Sequence, residues 1–257
     1  MKIIKIDNKP FHELNYRSSG KGKPRFCTLP FYYAYVDKLP DNISSIIATS
    51  DLQGREIDEN NNNRLLGVAV SEELTLLKEF NIIPNFELII SVGDLYDKPE
   101  LNKYGASGNV TNVLNAFSDI TEQVIAVHGN HDVVDNNLLN KNISILDSTS
   151  INISNIKISG VSGIIGNEKR PQRKSEENYL KCLNNPKLKN SDIFLLHQTP
   201  KGNKPKQIGD NNIANFFTQN GKSLVIAGHC HWNEHLAELG HNQILNTDSK
   251  VFVIKQL

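Results

Sequence analysis

The sequence predicts an α/β fold with mixed β-sheets, and three observations carry that expectation. Short apolar runs of strand length recur along the chain, amphipathic stretches of helical period separate several of them, and two sections place strand-like runs one after another with no helix between. With 257 residues, 38% of them hydrophobic, the chain can bury a sizeable core and sits at the upper end of what one domain holds.

Taken in order, residues 1–45 read as an irregular leader packed on the domain. A Gly/Lys/Pro segment at 18–25 precedes the aromatic cluster Phe-Tyr-Tyr-Ala-Tyr-Val, and the whole is too short to bury a core of its own. Residues 46–257 read as the domain proper, within a single-domain chain. Strands are expected at Ile46–Thr49, Phe86–Val92, Gln123–Val127, Ile193–Leu196 and Leu224–Ala227, each ending at a cluster of Gly, Asp, Asn or His. Leu66, Val70, Leu74 and Leu77 have the spacing of one apolar helix face within Asn63–Phe80. Ser71 followed by Glu72 and Glu73 offers a later start for that helix. Further helices are expected at Asn109–Phe117, Ser175–Leu183 and Asn212–Gln219. Strand–helix alternation implies mainly parallel pairing, whereas Ile143–Gly160 and Glu234–Ile254 suggest antiparallel additions.

Composition narrows the function classes. Equal counts of 28 Lys+Arg and 28 Asp+Glu argue against a surface built throughout for nucleic acid or an anionic membrane, and favour a small substrate. Cys27, Cys182 and Cys230 form no C-x-x-C pair and are odd in number, which fits a reducing compartment. The opening residues MKIIKIDNKP carry charge through their apolar stretch, unlike a secretory signal, and no apolar run approaches the roughly 18 residues of a membrane span. The expectation is a cytoplasmic protein with no membrane partner.

The chemistry-bearing residues fall at the strand ends: Asp51 and Gln53, Asp94 and Asp97, Asn130, His131 and Asp132, His197, then His229 and His231. Ligands of open α/β sheets bind beyond the carboxyl ends of strands, so five such ends point to one crevice. Carboxylates, an amide oxygen and imidazoles are together the ligands of a borderline to hard divalent metal. Their number exceeds the need of one tetrahedral site, and a two-metal hydrolytic centre accounts for the surplus. Alternation along an extended strand would put His229 and His231 on one side and Cys230 on the other.

The ordered series D-x-Q, G-D, G-N-H-D, H, G-H-x-H between residues 51 and 231 resembles the signature of the calcineurin-like metallophosphoesterases, with Gln53 where that family carries His. The resemblance implies a sandwich of two mixed β-sheets flanked by helices. It implies one metal among Asp51, Gln53, Asp94 and His231 and a second among Asp94, Asn130, His197 and His229, with Asp94 bridging. Manganese is the leading candidate; Fe, Zn, Ni and Mg suit the same donors. A hydroxide between cations roughly 3.5–4 Å apart would attack phosphorus in line. His131 would act near the leaving group as acid or hydrogen-bond donor, and Asn130 and His131 would also meet substrate. Asp97 is a candidate to orient His131, with Asp132 competing for that role.

Gln53 leaves three readings open: coordination through oxygen, which favours a harder ion; a weakly occupied first site; or donation of its NH2 to substrate or bound water. The first two are preferred jointly. Arg55, at the crevice rim, is a candidate to hold phosphate oxygens, with a surface salt bridge as the alternative. His128 is expected to be packed or at the substrate edge, and His12, His235 and His241 to lie at the surface. Arg170, Arg173 and Lys174, and likewise Lys21, Lys23 and Arg25, are expected to be solvated. Pocket walls are expected from residues 57–63, 98–109 and 199–210. The leading expectation is a metal-dependent hydrolase of phosphoester or phosphoanhydride bonds in a small phosphorylated molecule or nucleotide. The alternatives are a nuclease with the same centre and, third, a non-catalytic scaffold of the same fold.

Overall fold

Two mixed sheets lie face to face in the computed structural model, which describes residues 1–257, and each carries helices on its outer side. The first sheet runs Ile143–Ile145, Gln123–Ala126, Leu88–Ser91, Ser45–Ser50, Lys250–Gln256, Arg25–Val36, His12–Ser18, Arg55–Ile57, Asn63–Leu65, with Ile3–Ile6 also pairing Arg25–Val36. The second runs Thr149–Ile153, Ile156–Val161, Ile193–Leu196, Leu224–Ala227, Asn242–Asn246, Leu236–Leu239. The helices are α1 (Leu66–Glu79), α2 (Thr111–Ser118), α3 (Glu176–Leu183) and α4 (Asn211–Gln219). None is long and apolar enough to cross a membrane.

Side-chain alternation explains the layers. In Ser45–Ser50, Ile46 and Ala48 join the core between the sheets, while Ile47 joins the core under the helices. Ile158, Leu195 and Ile226 meet Ile46, Ile90 and Phe252 in the inter-sheet core. Leu66, Val70, Leu74 and Leu77 of α1 pack with Val113, Leu114 and Phe117 of α2 on the first sheet; Tyr179, Leu183, Ile213 and Phe217 of α3 and α4 cover the second. Strands buried on both faces have no polar side to show, which is why they read as continuous apolar runs.

Local chemistry sets the helix ends. Asp210 Oδ1 accepts from the Asn212 and Ile213 amides at 2.8 and 2.9 Å, and Ser175 Oγ caps α3 through the Asn178 amide. Helix α1 begins at Leu66, not Ser71: Ser71 is buried within it and donates to the Val68 carbonyl at 2.7 Å. Residues 63–65, expected in the helix, instead pair antiparallel with Arg55–Ile57.

The reading of residues 1–45 as irregular is corrected. They supply the strands Ile3–Ile6, His12–Ser18 and Arg25–Val36, and the last pairs in parallel with the C-terminal strand Lys250–Gln256. Ile3, Leu29, Phe31, Ala34 and Val36 are buried, but the polar and aromatic residues among them leave these strands no clean period in sequence. Their order comes from an edge offered by residues more than 200 positions away, and an unpaired edge would cost the backbone its hydrogen bonds. The two helix-free sections do form antiparallel hairpins, Thr149–Ile153 with Ile156–Val161 and Leu236–Leu239 with Asn242–Asn246.

Candidate metal centre

Five loops meet where strands Ser45–Ser50, Leu88–Ser91, Gln123–Ala126, Ile193–Leu196 and Leu224–Ala227 end. Asp51, Asp94 and His229 all adopt left-handed backbone, with φ of 53°, 56° and 68°. That region is disfavoured for side-chain-bearing residues by roughly 1–2 kcal/mol, and such strain collects at functional sites. The surrounding hydrogen bonds hold it in place. The Asp51 amide donates to the Gly93 carbonyl at 2.8 Å, and Asp132 accepts from the Asp94, Leu95 and Gly129 amides, each at 2.8 Å. Two glycines make room: a Cβ on Gly129 would overlap Asp94 Oδ1, and one on Gly228 would come within 2.5 Å of Asp51 Oδ2.

At the centre, ligand atoms of Asp94, His197 and His229 lie within 4.8 Å of one another. His197 is fully buried. One ring nitrogen, Nδ1, is 2.7 Å from the Val92 carbonyl, which leaves Nε2 facing Asp94 Oδ2 at 3.4 Å and Asn130 Oδ1 at 3.2 Å. The ring of His229 stands edge-on to it with centroids 5.0 Å apart, and the His229 amide donates to Asp51 Oδ2 at 2.9 Å. Asp94 Oδ1 accepts from the His131 amide at 3.0 Å. The His131 ring sits under the 104–107 loop, with Nδ1 3.2 Å from Ser107 Oγ.

The site's electrostatics describe a nest of buried anions. Burial, then the neighbouring Asp248, pushes the Asp51 carboxyl well above the usual range. Burial also raises Asp94, but the His197 charge and hydrogen bond outweigh it and the net shift is downward. Asp132 is pushed up to about 6, by burial first and then by Asp94. Burial depresses His197, yet Asp94 and Asp51 together lift it to about 10, whereas burial and the charge on His197 bring His229 to about 4. Without metal, one imidazolium is the main compensation for these carboxylates. A divalent cation fits the same donors better, because uncompensated buried charge is costly and N/O ligands of this kind bind such ions.

Several expected residues fall elsewhere. Gln53 turns its amide nitrogen to Asp94 Oδ2 at 3.0 Å, so it acts as a donor to the carboxylate rather than presenting its oxygen. The segment with His229 and His231 is a bend, not a strand, so alternation does not govern it; the His231 side chain is 61% exposed with Nδ1 3.4 Å from Asp248 Oδ1. Arg55 is no rim residue. Its guanidinium is buried and spent on Asn63 Oδ1, the Asn63 carbonyl and the Asp97 carbonyl at 2.7–3.0 Å. Asp97 does not orient His131; it accepts from the Ser19 amide and hydroxyl and from the Lys98 amide. Asp132 does not reach that imidazole either, being occupied by three amides. His12 and His235 are half-buried rather than at the surface: His12 pairs with Glu73 at 2.8 Å, and His235 packs on Tyr32 and Phe252. Asp248 escaped the sequence reading, although the strand-end rule that flagged the other five loops applies equally to Asn242–Asn246 just before it.

A sheet sandwich with a buried Asp/His/His cluster at its strand ends defines a metal-dependent hydrolase. The chain belongs to the calcineurin-like phosphoesterases: the family model matches residues 44–233. It is an enzyme of that class, a metallophosphoesterase. A solved crystal structure superposes with a TM-score of 0.52 at 13% sequence identity, covering 79% of this chain and 90% of that one, a likeness of fold alone. No curated protein matches the sequence.

Proposed function

We propose that the enzyme hydrolyses a phosphoester or phosphoanhydride bond in a small phosphorylated molecule or nucleotide, in the cytoplasm, using two divalent cations of which manganese is the leading candidate. The observation that carries this is the convergence of Asp94, His197 and His229, with Asn130 bonded to His197 and His131 bonded to Asp94. These donors would hold one cation; Asp51, with Asp94 shared, would hold the other less tightly, since Gln53 supplies no imidazole and the exposed His231 faces Asp248. Bound there, divalent cations supply positive charge for the phosphate oxygens and acidify water near neutral pH.

The chain's own side chains account for the remaining steps. His197 is fixed in one tautomer by the Val92 carbonyl, so its Nε2 lone pair is presented to the cluster. His131 Nδ1 lies 3.2 Å from Ser107 Oγ; in the tautomer for which that hydroxyl is the donor, the proton sits on Nε2, where it can be given to the leaving-group oxygen. Gln53 keeps Asp94 aimed into the site. The unpaired cysteines 27, 182 and 230 agree with a reducing compartment.

The test is a manganese-supplemented screen across monoesters, diesters, dinucleoside polyphosphates and oligonucleotides, with Asp94→Ala as the blank. Turnover of a small phosphate compound by the wild type alone is the expected result. Cleavage confined to oligonucleotides would replace the small substrate with a polynucleotide, and no turnover of any class would overturn the catalytic reading.

A further inference from the structure

The N-terminal strands do more than extend the sheet: they bring a cation against the ring of Tyr104 beside the metal centre. Beside the cluster lies a cavity of about 120 Å³, with Asp51 and Gln53 on its floor and Tyr16, Arg25, Tyr96 and Tyr104 among its walls. Its size is comparable to cavities of about 150 Å³ that take a single benzene ring. Neither 57–63 nor 199–210 contributes to it; the 98–109 loop and the hairpin of His12–Ser18 with Arg25–Val36 do.

Hydrogen bonds fix the hairpin tip to the Asp97 loop and brace that loop in turn. Asp97 accepts from the Ser19 amide at 2.8 Å and from its hydroxyl, the Gly20 amide donates to the Leu101 carbonyl at 3.3 Å, and Arg55 holds the Asp97 carbonyl at 2.9 Å. Arg25 is thereby placed with its guanidinium carbon 5.1 Å from the centroid of the Tyr104 ring. Its Nε donates to the Ser19 carbonyl at 3.2 Å, and its terminal nitrogens face no acceptor and no carboxylate. Tyr104 is 53% exposed. It precedes Gly105, which lines the same cavity and whose added Cβ would lie 3.1 Å from Cε1 of His131, so the cavity wall reaches the imidazole.

We infer that Arg25 and Tyr104 form a leaving-group subsite that takes a planar heteroaromatic ring, so that the preferred substrate is a nucleotide rather than a sugar or lipid phosphate. A guanidinium lying over a phenol ring is a flat platform with exposed π surface, and bases stack on such platforms whatever their identity. The free Nη groups are also positioned to meet a phosphate oxygen beyond the ring. This subsite rests on the phosphohydrolase reading above, but its test does not depend on turnover.

Binding of adenosine 5′-monophosphate and of ribose 5-phosphate to the manganese-loaded protein is measured by calorimetry, alongside the Mn-supplemented hydrolysis screen. The two ligands differ only in the base. Adenosine 5′-monophosphate is expected to bind about five- to 150-fold more tightly, the range one stacked base contributes. Tyr104→Ala and Arg25→Ala should each shrink that ratio towards one, while Tyr104→Phe, which keeps the ring, should retain it; unchanged Tm values establish that the variants fold. Equal affinities in the wild type, a ratio that survives Tyr104→Ala, or no binding of either ligand at about 1 mM would overturn the subsite. Inactivity in the screen with the ratio intact would instead overturn the catalytic reading alone.

Discussion

His197 faces Asp94 across 3.4 Å, with its other ring nitrogen on the Val92 carbonyl at 2.7 Å, and neither side chain is open to solvent. In the metal-free protein this is a charge pair, since Asp94 and Asp51 lift His197 to about 10 against the push of burial. A bound cation takes over the role of the imidazolium proton. Metal binding is therefore expected to release a proton near neutral pH, measurable as a buffer-dependent calorimetric enthalpy. Asp94→Asn should remove that signal and lower hydrolysis at least about a hundredfold.

Chelation should both abolish activity and lower stability. A cation present at about 100 times its Kd stabilises the folded state by about 2.7 kcal/mol, so Tm should fall on adding EDTA and recover with manganese. Asp94→Asn should show the lower Tm in both conditions.

Gln53 is bonded to Asp94 through its amide nitrogen. Gln53→His supplies an imidazole in place of a neutral amide, and the number of tightly bound manganese ions per chain should rise. Equilibrium dialysis decides it: two tight ions in the wild type, unaltered by Gln53→Ala, would count against a weak first site.

Gly129→Ala tests the close approach of the loops. The added methyl would overlap both Asp94 Oδ1 and the Asp94 backbone nitrogen, so the loop that carries the carboxylate must shift. Metal affinity should drop about 10- to 100-fold, with far-UV circular dichroism unchanged.

Arg55→Ala should act on stability. Its three hydrogen bonds tie the Asn63 hairpin to the Asp97 loop, and losing them should cost about 1–3 kcal/mol, read as a Tm lower by several degrees. A change confined to KM with no change in Tm would restore a direct phosphate contact.

His235, between Tyr32 and Phe252, is held down to about 4 by burial and then by Lys250 and His231. The unfolded chain binds this proton first as pH falls below about 6.5, so the contribution is intact above that value and lost progressively towards pH 4. In thermal melts between pH 7 and 4, His235→Phe should flatten the decline.

The sequence by itself determined the apolar strands, their polar ends and the order of the ligands. Ile193–Leu196 and Leu224–Ala227 matched to the residue because a strand buried on both faces leaves an unbroken apolar run with polar stops. Asp94, His197 and His229, which the fold brings together, were legible because a metal demands particular donor atoms at strand ends. The tertiary structure alone decided what the polar groups around those ligands touch. Asp97 and Arg55 are ordinary hydrogen-bonding residues; Asp97 meets Ser19 across 78 positions and Arg55 meets the Asp97 carbonyl across 42, and no local spacing encodes such meetings. Nor could local pattern reveal that residues 1–45 are strands, since their pairing partner is the chain's far end. That pairing carries Arg25 to Tyr104, where the structure adds a candidate determinant of substrate choice to a metal centre already written in the sequence.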